Sequence, residues 1–256
     1  MNRATILMYH IIDTPQAASE AKYCCPASVF EVHMRYLAES GRAVGLPQLL
    51  DALDGHGECP NDAIAVTFDD GFTVTHEQAL PILLRHGIPA TMFLLSNRVA
   101  GHNDWMTGRG FPRRELMSRE QMLEMGRAGV TLGSHTRNHA RLREVDAAGL
   151  ENEIAGSKAE LEDLLGQEVA YFAYPFGQYT QAGRDMAEKA GYRAACSTRS
   201  GFNNSEVDRY QLRRIEVFGT DTLWRFQQKL AYGRNESGLL FPLQYYAGRL
   251  LSRIGF

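Results

Sequence analysis

The sequence has few of the features that mark membrane, secreted or nucleic-acid-binding proteins. No run approaches the roughly 20 apolar residues of a membrane-spanning helix, and the N-terminal stretch MNRATILMYHIID lacks the apolar core and small-residue cleavage site of a signal peptide. Lys and Arg together number 27 against 30 Asp and Glu, so there is no basic excess for neutralising phosphates. We therefore expect no membrane span, no nucleic-acid partner and a cytoplasmic location.

Cysteine is scarce as well, with four in 256 residues. Cys24 and Cys25 are adjacent, while Cys59 and Cys196 stand alone. This spacing is neither a disulfide framework nor the CxxC pattern of a metal site. We interpret the four side chains as reduced thiols, as is usual in the cytoplasm.

What the chain does contain is a regular alternation of short apolar runs and segments with helical periodicity. Because several of the apolar runs lack strict alternation, they are typical of strands buried on both faces. The predicted strands cover residues 4–9, 63–68, 90–95, 130–133, 169–174, 193–197 and 212–217. Strands that alternate with helices indicate an α/β protein with a parallel sheet, either open or closed.

The helices between these strands have recognisable ends. Their predicted starts lie at Ser28 with Glu31, Thr75 with Gln78, and Ser118 with Gln121, and a longer helix is predicted over 147–165. No internal repeat, linker or composition shift marks a second domain, so we predict one domain over 1–235. The remaining residues, 236–256, form an amphipathic cationic segment that packs on this domain or, alternatively, contacts a membrane surface.

Two adjacent carboxylates, Asp69 and Asp70, end the second predicted strand, and Gly71 follows them. Two neighbouring anions in a partly buried place are costly unless a cation is present. One Asp can therefore bind a metal while its neighbour acts as a base. Taken in isolation, an ordinary Asp-Asp-Gly turn explains the same residues.

Two histidines, His135 and His139, follow the fourth predicted strand with a spacing of i, i+4, which allows them to share a metal. Together with Asp70 they make a set of two imidazoles and one carboxylate, which leaves positions open for water and substrate. Such sets hold catalytic zinc or non-haem iron.

A third cluster follows the fifth predicted strand, where Tyr174, Pro175 and Phe176 precede Gly177. A turn of this kind fixes the backbone and can point an amide N–H into a cleft, as an oxyanion hole requires. His10 likewise follows the first predicted strand. Since active-site residues of parallel barrels lie at the C-terminal strand ends, we expect these clusters to meet in one site.

The motifs TFDDGF, SHTRNH and YPFG, in this order and at these spacings, resemble those of the polysaccharide deacetylases (the nodulation-factor deacetylase homology group, carbohydrate esterase family four). The segments PILLRHGIPATMFLL and EIAGSKAELEDLLG are similar too, and the resemblance covers residues 6–217. It implies a distorted (β/α) barrel, here with about seven parallel strands. It also implies a divalent metal, usually zinc, that assists hydrolysis of N-acetyl groups on the amino sugars of a glycan.

Carried over by motif, the resemblance implies a role for each matching residue. Asp69 would be the general base, and Asp70, His135 and His139 the metal ligands. The amide of Phe176 would match the oxyanion-hole donor.

The chain departs from the family at two points. Many members place an Arg at the start of the third motif, where this chain has Ala173, and a late Leu-x-His motif that supplies the acid. The late strand here reads LRRIEV and has no His. We predict that Arg213 or Arg214 supplies the positive partner of Asp69, with Glu216 as a further supporting residue.

For the general acid, our candidate is His10, which follows Met8 and Tyr9. A Tyr-His pair after the first strand recurs in the subgroup that this chain most resembles, whose members act on exopolysaccharide or related amino-sugar polymers. Alternatively, His10 contacts the substrate or supports the site without donating a proton. Three further alternatives concern the whole protein: a non-haem iron oxygenase, a catalytically impaired glycan-binding relative, and a deacetylase of a lipid-linked or small amino sugar.

Overall fold

The computed structural model describes residues 3–236 and places seven parallel strands in one sheet. The strands are β1 (Thr5–Tyr9), β2 (Ile64–Phe68), β3 (Ala90–Leu94), β4 (Thr131–Ser134), β5 (Tyr171–Ala173), β6 (Ala194–Cys196) and β7 (Ile215–Glu216). Their order in the sheet is β6-β5-β4-β3-β2-β1-β7. Six of the seven strands lie within segments predicted from the sequence, and β4 extends one residue beyond its predicted segment, to Ser134.

The helices lie mainly between consecutive strands. They are α1 (Ala27–Ser40), α2 (Leu46–Leu53), α3 (Thr73–His86), α4 (Arg119–Arg127), α5 (Ala147–Glu151), α6 (Ser157–Leu165), α7 (Gln181–Lys189) and α8 (Leu223–Tyr232). A π-helical turn, Asn152–Gly156, joins α5 to α6, so these three pieces form the long helix predicted over 147–165.

The sheet curls until its two edges approach each other. Leu212 forms a parallel bridge to Cys196 in β6, and four residues later Glu216 pairs with Met8 in β1. The short segment 212–216 therefore spans the gap between the edge strands and produces a distorted barrel. This confirms the predicted barrel with seven parallel strands.

The end of the barrel at which the strands begin is closed by apolar packing. Leucines of α2 pack with Ala4 and Ala63, which immediately precede β1 and β2. The sequence analysis did not identify this helix. Because this end is filled, the C-terminal strand ends are the open face of the barrel, where a parallel barrel places its functional groups.

Some predicted helix starts were wrong. Helix α1 begins after Pro26 without a side-chain cap, although Ser28 and Glu31 suggested a capping box. Helix α3 begins at Thr73, so Thr75 lies inside the first turn, where its hydroxyl donates to the His10 carbonyl at 2.9 Å. By contrast, the predicted start at Ser118 is confirmed as a complete capping box.

None of the helices within residues 3–236 combines the length and apolarity that crossing a bilayer requires. The amphipathic segment predicted over 236–256 lies, except for its first residue, outside the described residues. Its packing on the domain, its alternative contact with a membrane and the domain boundary therefore stay predictions.

Candidate active site

The floor of the open face is built around a buried ion pair between Asp69 and Arg214. The Arg214 guanidinium donates two parallel hydrogen bonds to the Asp69 carboxylate, at 2.6 and 2.8 Å. It also donates to the Ser197 carbonyl at 3.0 Å and to the Thr67 hydroxyl at 3.2 Å. Since Arg214 is 0% exposed, the pair is shielded from water and from screening by salt.

The ion pair controls the charge of Asp69. Burial opposes ionisation of this carboxyl, but the Arg214 guanidinium holds the pKa of Asp69 below its usual value. Asp69 is therefore an anion throughout the physiological pH range. Of the two arginines proposed from the sequence, Arg214 occupies this position, whereas Arg213 is exposed and lies against Gly201. The suggestion of Arg213 as the partner was wrong.

Next to this pair, Asp70, His135 and His139 converge. Each offers one ligand atom, and these atoms all lie within 4.8 Å of one another. The Nε2 atoms of His135 and His139 lie 3.5 and 3.2 Å from Oδ1 of Asp70. The three side chains come from the loops after β2 and β4, so the structure brings together the residues that the sequence motifs separate by more than sixty positions.

The orientation of His135 follows from its hydrogen bond. Its Nδ1 atom lies 2.7 Å from the Ala173 carbonyl oxygen, and a carbonyl can only accept, so the proton resides on Nδ1. Burial lowers the pKa of His135 to about 4, so the ring is neutral at pH 7. Its Nε2 lone pair therefore faces Asp70, the arrangement in which a second-shell acceptor orients a metal ligand.

The three residues fit a divalent cation. Burial disfavours ionisation of Asp70, yet the neighbouring His139 lowers the pKa of its carboxyl well below the usual range. Oδ1 of Asp70 and Nδ1 of His139 are both buried without a hydrogen-bond partner in the described part of the chain. Unpaired buried polar atoms are costly, and a cation bound between Oδ1 of Asp70 and the facing Nε2 atoms of the two histidines removes the cost at Oδ1.

The backbone of the site is unusual. Within residues 3–236, six non-glycine residues have a positive φ angle. Four of these six belong to the site: Asp70, Thr136, His139 and Phe176. A side chain in this left-handed region costs of order 1–3 kcal/mol. Such strain persists only where surrounding contacts hold it, so its concentration here marks the site as functional rather than merely structural.

The third motif forms a tight turn after β5. Phe176 lies in the left-handed region with φ 58°, and Gly177 follows with φ 63°. A Cβ atom on Gly177 would lie 1.9 Å from the Thr198 hydroxyl oxygen, so only glycine fits. Phe176 lines the open cavity, and its ring meets His139 edge-on at 4.6 Å between centroids.

Tyr174 and Pro175, which were predicted to contact substrate together with Phe176, do not line the cavity. The Tyr174 ring packs in the core against Phe172 and Tyr179, and its hydroxyl donates to the Tyr210 carbonyl at 3.0 Å. Pro175 is buried in the turn. Their suggested contact with substrate was wrong, because the strand end directs both side chains into the core; they support the turn that presents Phe176.

A cavity of about 530 Å³ opens above this floor. Its aromatic wall contains Tyr23, Trp105 and Phe111, and the Trp105 ring stacks on His139 at 4.6 Å with an interplanar angle of 16°. Asp69, Asp70, His135, His139 and Phe176 all line the same space. The volume lies within the range of about 300–1,000 Å³ that is usual for small-ligand sites.

The cavity also contains two further residues named from the sequence. His10, directly after β1, lies edge-on to Tyr23, with ring centroids 5.4 Å apart. Glu216, at the end of β7, forms an ion pair with Lys22 at 3.1 Å on the rim. Both therefore face the cavity, but only His10 has a side chain that no hydrogen bond or ion pair in the described residues engages.

Sequence reasoning missed the clamp that holds the aromatic wall. Arg114, 5% exposed, donates two hydrogen bonds of 2.8 Å to Glu20 and one of 2.9 Å to Asp13. It thereby ties the loop after β1 to the insertion that carries Trp105. A charged residue in a loop carries no local signal of burial, and therefore the sequence could not indicate this contact.

With this geometry in place, comparison with known proteins is informative. The family model described as polysaccharide deacetylase matches residues 56–195, more than half of the chain. The chain belongs to the polysaccharide deacetylase family. The resemblance noted in the motifs, and the deacetylase class of enzyme expected from it, are thereby confirmed. The parallel barrel also excludes the β-rich jelly roll that a non-haem iron oxygenase would require.

Individual relatives agree with this family. A putative polysaccharide deacetylase of Bacillus subtilis is 29% identical over 213 residues, which are 83% of this chain and 70% of that protein. The poly-β-1,6-N-acetyl-D-glucosamine N-deacetylase of Staphylococcus epidermidis is 24% identical over 170 residues, 63% of this chain and 56% of the relative. The solved structure of a Streptococcus pyogenes deacetylase in complex with acetate, 23% identical, shares the fold with a TM-score of 0.76 over 89% of this chain and 98% of that one.

Proposed function

We propose that this protein is a metal-dependent hydrolase that removes N-acetyl groups from amino-sugar residues of a polysaccharide or related glycan. The observation that carries the proposal is the convergence of Asp70, His135 and His139 beside the buried Asp69–Arg214 pair, on the floor of a cavity large enough for a sugar. A carboxylate with two imidazoles favours zinc among the divalent metals.

Each residue of the site has its own role in the proposed reaction. Asp70, His135 and His139 would hold a divalent metal, which would supply Lewis-acid polarisation of the acetamide carbonyl and lower the pKa of water. Asp69 accepts the proton of the attacking water, whose oxygen bonds to the carbonyl carbon. The Phe176 N–H donates to the carbonyl oxygen as negative charge develops there. When the C–N bond breaks, the products are acetate and a free amine.

Asp69 suits the role of base in spite of its low pKa. Each of its oxygens accepts one hydrogen bond from Arg214, and a carboxylate oxygen has a second lone pair for the proton of water. A weak base that is always ionised is sufficient for a water whose pKa has been lowered. Arg214 orients Asp69 and is therefore a positioning residue.

His10 is our candidate for the proton donor to the leaving amine. It lines the same cavity as Asp69 and Asp70. The other cavity-lining acid, Glu216, is already engaged by Lys22. His10 thus replaces the late histidine that many family members carry.

The substrate is proposed from the walls and from the relatives. Aromatic rings such as Tyr23 and Phe111, with centroids 5.9 Å apart, offer the apolar faces against which sugar rings pack. The relative from Staphylococcus epidermidis is named for poly-β-1,6-N-acetyl-D-glucosamine. An N-acetylglucosamine polymer is therefore the first substrate to test, with lipid-linked and small amino sugars as comparisons.

The experiment is acetate release from N-acetylglucosamine oligomers, with a matched pair of isosteric variants. We expect activity to disappear with EDTA and return with zinc. Asp69→Asn should bind zinc but release no acetate, whereas Asp70→Asn should lose both zinc and acetate release. Acetate release that EDTA does not diminish, or an active Asp69→Asn variant, would contradict the proposal.

A further inference from the structure

The loop between His135 and His139 is supported by hydrogen bonds to one carboxylate. Glu153, which is 7% exposed, accepts hydrogen bonds from the backbone N–H groups of Arg137 and Asn138, both at 3.0 Å. It also accepts from the Asn138 side-chain amide at 2.7 Å. The two backbone donors lie between His135 and His139, so one side chain satisfies the middle of the segment that carries both histidines.

The carboxylate reaches this position because it lies in the π-helical turn Asn152–Gly156. Two other residues of this turn also meet the loop. Asn152 accepts from the Arg137 guanidinium at 2.6 Å, and a Cβ atom on Gly156 would lie only 3.3 Å from Arg137 Cδ. π-helical turns are rare and often occur at functional sites. Here three residues of the turn, Asn152, Glu153 and Gly156, lie against the histidine loop.

The loop needs this support because its backbone is strained. Thr136 has φ 73° and His139 has φ 59°, and a β-branched residue such as Thr136 is a genuine outlier in the left-handed region. Other contacts hold the carbonyls and side chains of the loop: the Ser96 and Asn97 N–H groups donate to the Thr136 and Arg137 carbonyls at 3.3 and 3.1 Å, and the Arg137 guanidinium pairs with Glu160. The His139 N–H donates to the Thr136 hydroxyl at 3.0 Å. Without Glu153, two adjacent, partly buried donors would lack their acceptor, and the loop would relax toward ordinary φ angles.

We propose that Glu153 is a positioning residue for the metal site: it maintains the strained loop that aims His135 and His139 at the same point as Asp70. The inference rests on the proposed function, because it assumes that these three residues hold a divalent metal. Glu153 contacts neither the metal ligands' side chains nor the cavity, so its effect is on metal affinity.

Zinc affinity, measured by competition with a chromophoric chelator, tests the proposal directly. Loss of a second-shell partner typically weakens metal binding about 10–100-fold, and we expect this weakening for Glu153→Ala. Glu153→Gln keeps the length and one acceptor oxygen, so it should remain within about threefold of the wild-type affinity. Cobalt substitution should show a changed visible spectrum for Glu153→Ala only.

Glu162→Ala is the matched control. Glu162 lies on the same long helix and also accepts a backbone N–H, that of Val169 at 3.0 Å, but it does not touch the histidine loop. If Glu153 merely stabilises the helix, both alanine variants will lower the melting temperature and leave zinc affinity unchanged. That result would overturn the inference.

A further measurement separates positioning from folding. Zinc raises the melting temperature of the wild type through its binding free energy, and a tenfold weaker affinity removes about 1.4 kcal/mol of that stabilisation. We expect this zinc-dependent increment to shrink in Glu153→Ala. If Glu153→Ala does not fold, zinc affinity is measured instead for Glu153→Asp, whose side chain is one methylene shorter. A zinc affinity equal to that of the wild type would then overturn the inference. A wild-type chain that binds no zinc would overturn the proposed function as well.

Discussion

Replacing Arg214 by Met would remove the only cation that pairs with the buried Asp69 in the described structure. Both residues lie out of water, with Arg214 0% and Asp69 2% exposed. Methionine fills similar space but has no charge and no donor. The variant therefore leaves a carboxyl in an apolar setting without its two hydrogen bonds of 2.6 and 2.8 Å.

The expected cost is large. Removal of one partner of a buried ion pair typically destabilises a protein by about 3–5 kcal/mol, a substantial part of the usual total of about 5–15 kcal/mol. The Ser197 carbonyl, which accepts from Arg214 at 3.0 Å, loses its donor as well. We therefore expect a value toward the upper end of this range at pH 7.

The pH dependence of the contribution that Asp69 makes to stability should reverse in Arg214→Met. In the wild type the pKa of Asp69 is lowered, so its contribution to stability is complete above the unfolded pKa and disappears as pH falls through the folded pKa. In Arg214→Met burial dominates and raises the pKa of Asp69. The protein should then be more stable with Asp69 protonated, and its deficit relative to wild type should shrink as pH falls.

Two assays follow this change: urea unfolding at several pH values, and the pH profile of kcat/KM for acetate release. The acidic limb of the profile, which reports ionisation of the base in the free enzyme, should move to higher pH in Arg214→Met. Arg213→Met, an exposed neighbour, should change stability by less than about 0.5 kcal/mol. The loss of stability in Arg214→Lys should lie between the losses in Arg213→Met and Arg214→Met. An acidic limb that stays in place, with a stability deficit that is constant with pH, would refute this reasoning.

Two further predictions concern the acid and the turn. His10→Ala should lower kcat on an acetamide substrate by about 10²–10⁴-fold, but should little affect an aryl acetate ester, whose leaving group needs no proton; unchanged amide turnover would exclude His10 as the acid. Gly177→Ala should lower the melting temperature strongly, because its Cβ would lie 1.9 Å from the Thr198 hydroxyl oxygen. Gly166→Ala, with a similar φ of 67° but no atom within 4 Å of the added Cβ, should cost only about 1–2 kcal/mol. Equal melting temperatures for the two glycine variants would contradict this account.

The convergence of the site could be predicted from the chain because of a general property of parallel sheets. All strands of such a sheet end at the same edge, so polar residues that follow apolar runs must meet there. Asp70 after β2 and His135 after β4 obey this rule. The apolar runs themselves were long enough to identify each strand.

The choice between Arg213 and Arg214 could not be made in this way. Successive residues of an extended chain point to opposite sides, so either arginine could have faced the site until the register with neighbouring strands was known. In the structure, Leu212 pairs beside β6 and Ile215 pairs with β1. This registration directs Arg214 inward and leaves Arg213 in solvent.

The same limit applies to every contact made across long distances in the chain. The sequence by itself determined the strand–helix alternation, the strand ends and the four motif residues at the floor of the site, because these follow from local apolar patterns and residue types. Only the tertiary structure decided that Arg214 pairs with Asp69, that Arg114 holds the aromatic wall and that Glu153 supports the histidine loop. These are pairings of buried charges, and a charged side chain gives no local sign of the partner that makes its burial tolerable.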